Sequence, residues 1–205
     1  MGVGRMKQTE ITVQVFDTKE NVLKRLYDLG FVLTENYQLN DWYFTKLDDI
    51  KQTNFQDLIN NSILIREVVE DGTSHTQICY KKKYYDAQGN VTSEEKTKTK
   101  VDSRDSILSI LLQAGLNNYC EIHNDSFCFA KGDLAFAVQV VDDLGIFIEY
   151  EEDDSIPKGL SNEDKIHYML EIVKKLGLNI GNDYSCKKVL MKINQSKENI
   201  NLKTI

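Results

Sequence analysis

The sequence predicts an α+β fold in which about eight antiparallel strands close, or curve strongly, into a tunnel-like β-barrel with helices packed outside. Three observations carry that expectation. Strand-like segments far outnumber helical ones, and several of them alternate apolar and polar residues. The few helical segments carry clear cap signals. A strand–helix–strand pattern also occurs twice along the chain.

Residues 10–16, E-I-T-V-Q-V-F, put Ile11, Val13 and Val15 on one face and Glu10, Thr12 and Gln14 on the other. A helix follows, with Asp17 or Thr18 as N-cap, Glu20 at its positive end and Gly30 as its stop. Val22, Leu23, Leu26, Tyr27 and Leu29 form its apolar stripe. Residues 41–44, D-W-Y-F, read as a strand and 46–61 as a polar stretch. Strands at 63–67 and 77–81 follow, with Gly72 and Gly89 marking the turns after them, and another strand spans about 95–101. Ser103 starts a second helix with Ile107, Leu108, Leu111 and Leu112 inside and Gly115 at its end. Strands at 134–141 and 146–151 come next. The last helix begins near Ser161 in S-N-E-D, resembling a capping box, and buries Ile166, Met169, Leu170, Val173 and Leu176 before Gly177.

The two halves align. Residues 29–46, L-G-F-V-L-T-E-N-Y-Q-L-N-D-W-Y-F-T-K, face residues 114–131, A-G-L-N-N-Y-C-E-I-H-N-D-S-F-C-F-A-K. Gly30 matches Gly115, and Phe44-Thr45-Lys46 matches Phe129-Ala130-Lys131, which implies an internal duplication.

A length of 205 residues and a single proline, Pro157, favour one compact domain over residues 1–205 without a proline-rich linker. A net charge of −7 argues against general nucleic-acid binding and against an anionic membrane surface. No apolar run reaches a membrane span, and the first ten residues lack the apolar core of a signal peptide, so the expected location is cytoplasmic. The four cysteines form no C-x-x-C pair and the three histidines are scattered, which argues against a disulfide scaffold and against zinc. Low proline with many Asn, Lys and Ile fits an AT-rich bacterial coding background. The oligomeric state stays open, a homodimer among the alternatives.

Several strands carry an unusual polar face: Glu10, Thr12 and Gln14; Cys79, Lys81 and Lys83; Glu149 and Glu151. These faces turn to solvent in a simple sandwich. In a barrel covered by helices they turn inward, into a wet lumen where cations bind a polyanion and carboxylates hold a metal.

The order of motifs resembles the CYTH superfamily, the triphosphate-tunnel proteins that include class IV adenylate cyclases, thiamine triphosphatases and inorganic tripolyphosphatases. The family's opening E-x-E-x-K strand is matched by E-I-T-V-Q at 10–14, and its L-R-x-R-like strand by I-L-I-R-E at 63–67. With Ser62, that segment is similar to the cyclase branch. A T-Y-K-G-P-like strand is matched by C-Y-K-K-K at 79–83, and L-G-x-F-x-E-x-E by L-G-I-F-I-E-Y-E at 144–151. The closing helix, Leu176-Gly177-Leu178 and Tyr184 also agree, so the resemblance covers about residues 8–192 and leaves a short unassigned tail. It implies a tunnel that binds a triphosphate with Mg²⁺ or Mn²⁺. Arg66 and Lys81 are then phosphate ligands, joined by Lys83, and Glu10, Glu149 and Glu151 are metal ligands.

The chain also departs from the pattern. Thr12 and Gln14 stand where the family has Glu and Lys, and Leu64 where it has Arg. His123-Asn124-Asp125 fall where it has a basic pair, and Gln139 where it has a metal-binding Asp. Losing one charged member of such a site costs on the order of 100- to 1,000-fold in rate. Lys96, Lys98 and Lys100 alternate along one strand face and could restore positive charge, Lys98 being placed with the phosphate-binding set; a solvated lysine face is the alternative. His123 is either a substitute basic group or an ordinary histidine. Two functions follow: a triphosphate-processing enzyme, cyclase or hydrolase, or a catalytically degenerate module that binds a phosphate ligand or a protein. A lumen with fewer than three cations favours the second.

Overall fold

The computed structural model describes residues 9–202 except 51, 86 and 88–90, and the side chains among them apart from 91–93 and 196–202. Gly89 therefore lies outside the described residues. The elements in order are β1 (Glu10–Val15), α1 (Lys19–Asp28), β2 (Val32–Thr45), α2 (Phe55–Asn60), β3 (Ser62–Glu70), β4 (Thr73–Tyr85), β5 (Val91–Val101), α3 (Arg104–Gln113), β6 (Asn117–Lys131), β7 (Leu134–Val141), β8 (Gly145–Glu151), α4 (Asn162–Lys175) and α5 (Lys188–Leu202).

All eight strands join one antiparallel sheet in the order β1-β8-β7-β6-β2-β3-β4-β5. The expected barrel is thus a curved sheet: its end strands β1 and β5 are not hydrogen-bonded to each other among the described residues. A strap of chain covers the free edge of β1. Thr12 N donates to Tyr184 O at 2.9 Å, Gly181 N to Gln14 O at 2.8 Å, and Cys186 N to Thr12 O at 3.1 Å. The strap leads directly into α5.

The cap signals act as expected. Thr18, Ser103 and Ser161 accept the backbone N–H groups of Asn21, Ser106 and Asp164, each satisfying one orphan donor of α1, α3 and α4. Gly30 and Gly115 close α1 and α3 with φ of +82° and +78°, the left-handed turn that a residue with a Cβ resists. The duplicated segments run on from those glycines and end side by side, β2 pairing with β6 at the centre of the sheet.

The convex face is apolar and roofed by helices. Ile11, Val13 and Val15 of β1 pack with Val22 and Leu26 of α1 and Met169 and Val173 of α4, all nearly inaccessible. Leu111 of α3 covers Phe44 and Ile65. Burying a side chain of this size contributes about 1.5–3 kcal/mol, so these faces hold the sheet's orientation and force the alternate residues onto the concave side. One end of that concave side is filled by Ile59 of α2 and Val189 of α5 against Ile122 and Phe147. The same packing shows that the polar stretch at 46–61 holds α2 and that the tail forms α5. No helix among the described residues is long and apolar enough to cross a membrane.

Candidate functional site

The concave face encloses a cavity of about 160 Å³. By the same measure one water needs roughly 10–15 Å³, so the space is a wet lumen for a ligand of several polar groups. Six cationic and five anionic side chains line it among the described residues.

Register places these charges. Directly opposed residues of neighbouring strands share a face. On one wall Glu10 of β1 stands opposite Glu151 of β8, and Thr12 opposite Glu149. On the other, Lys81 of β4 stands opposite Lys96 of β5, and Lys83 opposite Glu94. Arg66 of β3 stands opposite Asp41 of β2. Two of these pairs oppose like charges, which weakens a sheet unless something neutralises them.

The carboxylates of Glu10, Glu149 and Glu151 gather closely, with one oxygen from each within 4.8 Å of the others. Burial and the Glu149 charge push the Glu10 carboxyl above its ordinary range. Glu149 goes the opposite way. Burial alone would raise it, but the Lys188 ammonium, whose Nζ donates to Glu149 Oε2 at 2.8 Å, outweighs that and holds it down to about 2. Lys188 also donates to Gln139 Oε1. Glu10 and Glu151 form no ion pair among the described residues.

The cations across the cavity are largely paired. Arg66 donates from Nε and Nη2 to the two oxygens of Asp41 at 2.7 and 2.6 Å, a fork that leaves its Nη1 edge free for another acceptor. Burial opposes the Arg66 charge, but Asp41 overrides it and keeps the guanidinium protonated. Glu94 lies 3.6 Å from Lys81 and 3.4 Å from Lys83. Burial favours its neutral form, yet those lysines lower its pKa. Lys96 is lowered, first by the like charge of Lys81 and then by burial.

No known family profile matches the chain. A Methanocaldococcus jannaschii protein named "Putative adenylate cyclase" is 26% identical over 190 residues, which is 92% of this chain and 98% of that one. The Pyrococcus horikoshii protein PH1819 superposes with a TM-score of 0.66 at 14% identity, over 93% of this chain and 99% of its own. The Hippeastrum protein HpAC1, described as a "Putative adenylyl cyclase" with a dominant triphosphatase activity, superposes at 0.58 with 12% identity, over 93% and 96%. The chain shares the fold of these proteins over nearly its whole length.

Against the CYTH pattern, the structure brings Arg66, Lys81, Lys83, Glu10, Glu149 and Glu151 to one cavity. Lys98 is the exception. It shares the concave face with Lys96, two residues along β5, but lies beyond the cavity lining, as does Lys100. Lys96 takes the place expected of Lys98. His123 is on the other face: its Nδ1 lies 3.0 Å from Asn40 Oδ1 and its ring stands edge-on to Trp42, so it is no lumen base. Of that trio, Asn124 alone reaches the cavity. Leu64 and Gln139 face the cavity as neutral residues, and Gln14 donates to Leu144 O at 3.0 Å. Sequence reasoning missed Asp41, Glu94 and Lys188. Alternation with Tyr43 and with Lys96 marks Asp41 and Glu94 as inward-facing; nothing local marks Lys188.

Proposed function

We propose that the chain binds a triphosphate with Mg²⁺ or Mn²⁺ in this cavity and turns it over, as a triphosphate hydrolase or as a class IV-like adenylate cyclase. The observation that carries this reading is the pair of like-charge oppositions around one cavity, Glu10 against Glu151 and Lys81 against Lys96. A metal relieves the first pair and phosphate oxygens relieve the second, so one metal–polyanion complex satisfies both. Nearly balanced lining charge fits the same ligand, since a bare polyanion would meet five internal anions.

In this reading Arg66 meets phosphate with its free guanidinium edge, and Lys81, Lys83 and Lys96 act as point charges along the chain of phosphates. Glu10, Glu149 and Glu151 offer the hard oxygen donors that Mg²⁺ and Mn²⁺ prefer. Such an ion, when bound, neutralises phosphate charge and makes an oxygen nucleophile easier to deprotonate. The protein's own part is to hold the phosphates along β3, β4 and β5 with one end toward the carboxylates. In hydrolysis, water adds to the terminal phosphorus and loses a proton as the bridging P–O bond breaks, the diphosphate leaves with the bridging oxygen, and the attacked phosphorus becomes orthophosphate. In cyclisation the ribose 3′-oxygen adds to the α-phosphorus, loses its proton and displaces pyrophosphate. A cytoplasmic location belongs to the same proposal and accords with the four free cysteines.

A second reading, a module that binds without turnover, is favoured by Gln139 in place of a carboxylate and by Lys188 lodged on Glu149. Phosphorus NMR of ATP and of tripolyphosphate, each with the protein and Mg²⁺ or Mn²⁺, separates the readings. New orthophosphate, or pyrophosphate with cyclic nucleotide, establishes turnover and names the reaction. Broadened lines without products establish the binding module, and unperturbed spectra overturn both.

A further inference from the structure

The C-terminal helix places a cation among the carboxylates. Lys188 in the first turn of α5 donates from Nζ to Glu149 Oε2 at 2.8 Å and to Gln139 Oε1, and its ammonium lies 5.9 Å from the centre of the Phe147 ring. Only 18% of the Lys188 side chain and 24% of Glu149 are exposed.

Two observations show that this lysine is held there by the fold. The strap just before it is pinned to β1 by the Cys186 N–H on Thr12 O, and Val189 just after it is buried among Ile59, Ile122 and Phe147. Lys188 therefore sits between two fixed neighbours. The first turn of α5 also contains no acidic residue, although the positive end of a helix favours carboxylates and disfavours lysine. The cost of a lysine there is offset by Glu149. Gln139 completes the pattern: its neutral amide accepts from the ammonium without adding a charge. Lys188, Glu149 and Gln139 together are neutral, leaving the two negative charges of Glu10 and Glu151, enough for one divalent ion.

We propose that Lys188 is a tethered cation that stands in for one divalent ion of the tunnel and competes with metal for Glu149. This rests on the reading of the cavity as a metal–triphosphate site. A phosphate chain entering the cavity then meets an ammonium fixed by the protein, so part of the binding survives removal of metal.

The test titrates Mn²⁺ into the protein alone, reading free Mn²⁺ by EPR, for the wild type, Lys188→Met and Lys188→Gln. Tripolyphosphate binding in EDTA is then measured calorimetrically for the same three proteins. The glutamine variant can still hydrogen-bond to Glu149, so it isolates the charge. Both variants should bind Mn²⁺ about tenfold more tightly or take up a second ion, and both should lose about tenfold in EDTA-resistant tripolyphosphate affinity. Unchanged Mn²⁺ affinity and stoichiometry in Lys188→Gln, with its thermal melt still cooperative, would overturn the proposal. A wild type that binds no tripolyphosphate overturns the triphosphate reading instead, and the Mn²⁺ titration still decides the role of Lys188.

Discussion

The two walls of the cavity are built alike and charged oppositely. About the β6–β2 centre, β1 corresponds to β5, β8 to β4 and β7 to β3, because each half of the chain lays down strand, helix and three strands in the same order, with α2 inserted in the first half alone. Yet β8 presents Glu149 and Glu151 to the cavity whereas β4 presents Lys81 and Lys83, and β7 presents Gln139 whereas β3 presents Arg66. The duplicated backbone supplies a wall, and the residues on its inward positions decide what that wall binds. The walls also differ in how far they are neutralised internally. Arg66 has Asp41, and Lys81 and Lys83 share Glu94, whereas Glu10 and Glu151 have no ion pair among the described residues. Both walls keep unrelieved charge, positive where Lys81 faces Lys96 and negative where Glu10 faces Glu151, so the first lacks an anion and the second a cation.

The largest effect should come from breaking the basic wall at Arg66. Arg66→Ala is expected to weaken tripolyphosphate binding about 100-fold or more in calorimetry, since the loss of a desolvated charged hydrogen bond costs about 2–5 kcal/mol. Unchanged affinity would remove Arg66 from the site. Next comes the acid limb of stability. Glu149 is held at about 2 against an ordinary 4.5, so its folded pKa is depressed; its contribution is present above pH 4.5 and disappears as the pH falls toward 2. That contribution is on the order of 3 kcal/mol, and Glu149→Gln should flatten chemical-denaturation stability across that window. Glu10 has the opposite sign. Its folded pKa is raised, so its favourable contribution lies below pH 4.5 and is lost as the pH rises through the raised value.

A smaller effect sharpens the basic wall itself. Lys96→Ala should cost about tenfold in tripolyphosphate affinity, and Lys98→Ala, two residues away on the same face, less than about twofold. Equal losses would mean that the phosphate chain runs along β5 rather than into the cavity. The smallest change is the one of unusual sign: Glu10→Gln should raise the metal-free Tm near neutral pH by about 2–4 °C, equivalent to about 1 kcal/mol at this length, while weakening Mn²⁺ binding. A lowered Tm would mean that the acidic wall carries no unrelieved repulsion.

Much of this arrangement was legible in the residues. Alternation in E-I-T-V-Q-V correctly separates the core face of β1 from its lumen face, and Thr18, Ser103 and Ser161 start helices where the caps predict. Gly30 and Gly115 expose the duplication because a left-handed helix stop needs glycine at both sites. The remainder depends on contacts distant in the chain. Residues 32–40 of β2 show little apolar alternation, and pairing with β6 extends the strand through them. Alternation puts Lys96 and Lys98 on one face, but only the curvature of the sheet decides where along β5 the cavity ends. Lys188 is one lysine in a polar tail until the strap along β1 carries it to Glu149, a partner 39 residues earlier in the chain.

The most direct measurement is a crystal structure of the protein with tripolyphosphate and Mn²⁺, with the metal located by its anomalous signal. Phosphate oxygens are expected on Arg66, Lys81, Lys83 and Lys96 and manganese on Glu10 and Glu151, all within the one cavity. Phosphate density on the outer part of β5 around Lys98 and Lys100, or manganese away from the three glutamates, would contradict it.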